Sequence, residues 1–154
     1  MLGALAMLGG CGFAPVYAPE SEARALLGAI EIDPPRDRAG YLLVRHLEER
    51  LGRGAQPRFG MSVAIELTPE RMAISEDNVA TRINLLGKAT YAVRSRETGK
   101  VLTSGVAQSF VGYSTTGSTA ATRAAQTDAQ DRLMVILGDQ IVMQLMAMPR
   151  EAAI

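Results

Sequence analysis

The sequence predicts an α+β fold, a two-layer sandwich in which an about four-stranded, mostly antiparallel sheet carries two helices on one face. Three observations predict it. Apolar and polar residues alternate along several short stretches, the period of half-buried strands. Two other stretches repeat leucine or isoleucine every fourth residue, the stripe of a helix packed on a core. The order of these patterns is strand, helix, three strands, helix, and both helical stripes need one sheet to cover them.

Ala29-Ile30-Glu31-Ile32 alternates and stops at Asp33-Pro34-Pro35, so it reads as a short strand ended by prolines. Asp37 is a natural N-cap for a helix from Arg38 to about Leu51, with Leu43, Leu47 and Leu51 on one face and Gly52 as its stop. Met61, Val63, Ile65 and Leu67 alternate with Ser62, Ala64 and Glu66 to make the second strand. A longer third strand runs from Ile83 to Arg96. Leu85, Ala89, Tyr91 and Val93 share one side of it, and Lys88, Thr90, Arg94 and Arg96 share the other. Glu97-Thr98-Gly99-Lys100 is a hairpin loop, because glycine supplies the positive φ such loops need. The return strand spans Val101 to about Tyr113, followed by a small polar loop, Ser114 to Thr119. Ser118 or Thr119 caps the last helix, about Ala120 to Ala147. Its stripe is Leu133, Leu137, Ile141 and Leu145, flanked by Ile136, Val142, Met146 and Met148, and Pro149 ends it. Residues 26–149 thus form one α+β domain, with 150–154 as a tail.

Composition narrows the function. The chain has 154 residues, 47% apolar and 21% charged, which is globular rather than disordered usage. Sixteen basic residues balance sixteen acidic ones, so no long-range field recruits nucleic acid. After the N-terminus no run of about 18 uncharged apolar residues is present to span a bilayer as a helix. The single cysteine, Cys11, excludes an internal disulfide.

Cys11 stands in Leu8-Gly9-Gly10-Cys11, behind an uncharged apolar start. Two small residues before a cysteine, with leucine at the third position upstream, resemble a bacterial lipobox. That resemblance implies a signal peptide over residues 1–10, cleavage before Cys11, a diacylglycerol on its thiol and acylation of the new amino terminus. Each buried CH₂ contributes about 0.8 kcal/mol and stable anchoring takes two chains, so such a residue would hold a membrane firmly. Residues 1–10 carry no Lys or Arg and are short for a leader, which is the expectation for a start lying inside a longer one. Residues 11–25 read as an extended tether: Pro15 and Pro19 exclude helix, and Phe13 and Tyr17 supply aromatic contacts.

No catalytic constellation is legible. His46 is the only histidine and lies within the first helix, so no transition-metal ligand set and no serine-nucleophile triad has a local signature. Asp128 pairs with Arg132 at i+4, and with Asp131 and Asp139 it forms a solvated polar face. No phosphate-binding glycine loop of standard spacing exists. The expectation is a non-enzyme with no cofactor and no metal. Lys88, Arg94, Arg96 and Lys100 cluster around one hairpin. Such cations bind phosphates or carboxylates, or they keep a sheet face and edge from aggregating. Both readings stand on the residues alone.

Cys11-Gly12-Phe13-Ala14-Pro15-Val16-Tyr17 resembles the Cys-Gly-Phe-x-Pro-Leu-Tyr opening of the LptE family in its alphaproteobacterial branch, with Val16 in place of leucine. Ala124-Ala125-Gln126, followed by Leu133, Leu137-Gly138-Asp139-Gln140-Ile141 and Leu145, is similar to that family's closing helix, and Arg94 to Gly105 to its long hairpin. The resemblance implies an outer-membrane lipoprotein that plugs an LptD-like β-barrel and assists lipopolysaccharide transport. It implies lipopolysaccharide phosphates as ligands of Lys88, Arg94, Arg96 and Lys100. It also implies that Thr103, Ser104, Ser109 and Ser114 meet a polar barrel lumen. Gly12, where an aspartate would retain the protein at the inner membrane, implies sorting to the outer one. Two other readings remain open: an auxiliary lipoprotein of a lipid-transporting ABC system, and a pilotin-like chaperone of an outer-membrane channel.

Overall fold

The computed structural model describes residues 27–74 and 80–147. Cys11, the segments 1–10 and 11–25, Met148, Pro149 and the tail 150–154 lie outside the described residues. Six elements follow in order: β1 (Ile30–Ile32), α1 (Arg38–Leu51), β2 (Phe59–Ile74), β3 (Ala80–Ser95), β4 (Val101–Ser114) and α2 (Thr119–Met146). The four strands form one sheet in the order β1-β2-β3-β4. β2, β3 and β4 are antiparallel neighbours, whereas β1 runs parallel to β2, pairing Ile30 with Phe59 and Ile32 with Met61. A parallel pair needs a crossover, and α1 supplies it.

Local chemistry sets the helix ends. The Asp37 carboxylate accepts from the Gly40 amide at 2.7 Å, and Gly52, at φ 80°, closes α1 by donating to the Glu48 carbonyl. Ser118, rather than Thr119, caps α2 by accepting from the Ala121 amide. Both helices bury their stripes on the same face of the sheet. Leu43, Leu47 and Leu51 of α1 join Leu133, Leu137, Ile141 and Leu145 of α2, all essentially inaccessible. Opposite them lie Met61, Leu85, Ala89, Tyr91, Val93, Ala107, Val111 and Tyr113. Removing the leucine, isoleucine, valine and methionine side chains among them from water contributes about 1.5–3 kcal/mol each. Gly87 faces this core too, and a Cβ there would lie 2.9 Å from Leu133 and 3.0 Å from Leu137.

Two expectations need adjusting. β2 does not stop at Leu67 but runs to Ile74, through Pro69 and past a register shift after Arg71. Proline is tolerated because β1 pairs with β2 only at Phe59–Met61. Like Phe59 and Met61, whose odd-numbered backbone groups turn toward β1, Pro69 turns its nitrogen away from β3 and toward an open edge. β3 in turn begins at Ala80 and ends at Ser95, which leaves Arg96 in the hairpin turn.

Candidate functional site

Alternation along the strands gives the sheet an outer face, opposite the helices. It carries Gly60, Ser62, Ala64 and Glu66 from β2, Lys88, Thr90, Ala92 and Arg94 from β3, and Ser104, Val106, Gln108 and Phe110 from β4. Much of that floor is small or polar. Phe110 stands out from it, 62% exposed.

The four candidate cations do not form one site. Lys88 and Arg94 share the outer face but are six residues apart, about 20 Å along a strand. Three of the four already have carboxylates. Lys88 lies 3.7 Å from Glu66, its cross-strand neighbour. Arg94 reaches across Gly60 to Asp33 at 2.6 Å, and that carboxylate holds the guanidinium above its ordinary pKa. Arg96 pairs with Glu31. Asp33 and Glu31 come from β1 and the residue after it, so these pairs bind the first strand to the hairpin. Lys100, beside them in the turn, has no carboxylate within ion-pair distance among the described residues. Further cations without such a partner among the described residues are Arg36, Arg71, Arg82 and Arg123. Sequence periodicity missed them because none sits in a basic run. Arg82 lies over the bare Cα of Gly112 on β4, where a Cβ would come within 3.0 Å of its guanidinium.

Of the small polar residues expected to line a lumen, Ser104 and Ser114 are exposed on the outer face. Thr103 and Ser109 are not there. They pair with Val93 and Gly87 and turn toward the helices, because successive residues of a strand face opposite ways.

His46 does sit beside a carboxylate, with Nε2 2.9 Å from Asp139 Oδ1, and Arg50 approaches the same oxygen at 3.6 Å. The neighbouring groove, of about 450 Å³, is lined by Leu42, Arg45, His46, Asp131, Arg132, Val135 and Ile136. No hydroxyl or thiol nucleophile lines it. The pair joins the two helices, His46 from α1 and Asp139 from α2. Among the described residues no three His, Cys, Asp or Glu side chains converge as a metal site, and no helix is long and apolar enough to cross a membrane.

The fold is a small α+β sandwich whose described cations are for the most part paired with carboxylates. Comparison with known proteins identifies its family. The family model LptE, described as Lipopolysaccharide-assembly, matches residues 27–145, well over half of the chain. The chain belongs to the LptE family. Its fold is similar to that of a putative lipoprotein from Caulobacter crescentus, with TM-score 0.68 and 20% identity over 81% of this chain and 93% of that one. It is also similar to the rare lipoprotein B from Shewanella oneidensis, with TM-score 0.58 and 11% identity over 77% and 92%. A minor lipoprotein from Acinetobacter baumannii gives 0.55 and 17% over 77% and 88%. At these identities the likeness is one of fold. No curated protein matches the chain in sequence.

Proposed function

We propose that this chain is an outer-membrane lipoprotein, anchored through lipidated Cys11, that plugs an LptD-like β-barrel and assists the transport and insertion of lipopolysaccharide. The match to the LptE family across residues 27–145 carries this reading. The work is positional, not catalytic. A lipid chain holds the domain at the membrane, the helix–sheet core keeps it rigid, and the outer face presents small polar residues to a hydrated lumen.

Within this reading Lys88, Arg94, Arg96 and Lys100 are the proposed contacts for lipid A or core phosphates. Lys100 is available as it stands. Arg94 and Arg96 would exchange Asp33 and Glu31 for phosphate, a replacement that bidentate guanidinium geometry favours. Reversing all four charges should weaken lipopolysaccharide binding, and unchanged binding would remove them from the proposal.

The deciding experiment is an affinity pulldown of the lipidated protein from detergent-solubilised outer membranes, with mass spectrometry of what is retained. Stoichiometric recovery of a large β-barrel supports the plug reading. Recovery of inner-membrane transporter components moves the function to an auxiliary lipoprotein of a lipid-transporting ABC system. Recovery of a secretion-type channel moves it to a pilotin-like chaperone.

A further inference from the structure

We propose that the free edge of β4 between Phe110 and Gly112 accepts an added β-strand from a partner protein, and that this strand carries acidic residues alternating with apolar ones. The inference stands apart from lipopolysaccharide and from the hairpin cations.

Among the described residues β4 ends the sheet, so its outward backbone groups have no strand to meet. At mid-strand two side chains of α2 take that place. The Gln108 amide donates to Gln140 Oε1 at 3.1 Å, and Gln144 Nε2 donates to the Val106 carbonyl at 3.0 Å. A carbonyl and the amide two residues later are what one residue of a parallel neighbour would bond. The glutamines therefore stand in for a short piece of parallel strand. Phe110 and Gly112 turn their backbone groups the same way as Val106 and Gln108. Among the described residues nothing meets them.

Side chains around this opening indicate what suits it. Phe110 is exposed beside Leu86, its cross-strand neighbour, and offers an apolar surface. Arg82 lies across Gly112 toward the edge, and no carboxylate pairs with it among the described residues. The other edge of the same sheet shows this arrangement completed. There Arg94 lies across Gly60, the next strand is the parallel β1, and Asp33 at its end receives the guanidinium. Arg82 over Gly112 repeats the first half of that arrangement, with no strand beyond it among the described residues. The strand that completes it would read like Ile-Glu-Ile-Asp, with backbone hydrogen bonds for affinity and a carboxylate for register.

The test is amide hydrogen exchange, read residue by residue by NMR on the full chain. The probe is a capped peptide, Gly-Ala-Ile-Glu-Ile-Asp, added to about 1 mM, and the control is the same peptide with both acids replaced by lysine. The acidic peptide should slow exchange of the Phe110 and Gly112 amides by roughly tenfold, with little effect from the lysine peptide. Arg82→Glu, a change at a residue outside the core, should reverse that preference. No slowing at either amide overturns the proposal, as does equal slowing by both peptides. Slowing confined to Phe59 and Met61 also overturns it, since the peptide would then have displaced β1. Slowing without peptide that grows with protein concentration identifies a second copy of the chain as the occupant and overturns it too.

Discussion

His46 on α1 meets Asp139 on α2, with Nε2 2.9 Å from Oδ1, and the imidazole packs against the bare Cα of Gly138. A Cβ at that position would lie 2.6 Å from His46 Cδ2 and 3.3 Å from Leu43. The glycine costs α2 about 1 kcal/mol of helix propensity, and it lets the two helices approach. Gly138→Ala would recover the propensity but force the imidazole from its bond, at about 1–3 kcal/mol of overpacking. The expected result is a net loss of stability in urea unfolding. The double variant with His46→Ala should lose less than the sum of the single variants. An additive cycle would show that the two positions do not interact.

Leu137 is fully buried between the sheet and α1, and its methyl group packs over Gly87. Leu137→Ala should cost about 2–5 kcal/mol, because the surrounding core relaxes only partly into the cavity. Ile136, its neighbour on the other side of α2, is 37% exposed, and Ile136→Ala should cost well under half as much. Chemical denaturation of both variants decides between a single stripe and a helix buried all round.

Tyr91 is buried opposite Gly105, and burial alone raises its phenol pKa. The folded protein therefore keeps this proton to higher pH than the unfolded chain, whose phenols titrate at about 10. The stability this contributes is complete below about pH 10 and is lost as pH rises through the folded-state value. Unfolding free energies at about pH 9 and about pH 11 should differ more in the wild type than in Tyr91→Phe. An equal alkaline slope in both would mean that another group is responsible.

Asp33 binds the end of β1 to Arg94, but both side chains are close to 40% exposed. Solvent screening limits such a pair, so Asp33→Asn should cost no more than about 1 kcal/mol at low salt. The difference should shrink as ionic strength approaches 1 M. A larger, salt-insensitive loss would show that solvent does not screen the pair; the backbone bond from the Asp33 amide to the Met61 carbonyl, 2.8 Å, is the same in both proteins.

Much of the fold was legible in the chain because the signals are local. Asp37, Gly52 and Ser118 act within a turn of their own positions, and Gly99 takes a φ of 71° in the predicted hairpin. Alternation identified Leu85, Ala89, Tyr91 and Val93 as the inner side of β3, and all four are buried. The full length of β2 was not legible, because whether Pro69 stops a strand depends on which edge its nitrogen faces. The charge state of the basic hairpin was hidden for a similar reason. Asp33 and Glu31 are 61 and 65 residues from the arginines they neutralise.

The sequence by itself determined the elements, their order, their apolar faces and the resemblance that pointed to the family. Periodicity and capping depend on residues a few positions apart, and a linear reading sees them. Only the tertiary structure decided that β1 pairs in parallel, that three of the four hairpin-side cations are compensated, and that Arg82 has no carboxylate partner among the described residues. Those outcomes depend on which strand lies beside which. A sheet's neighbours, and therefore its ion pairs and its open edge, exist only once the chain has folded back on itself.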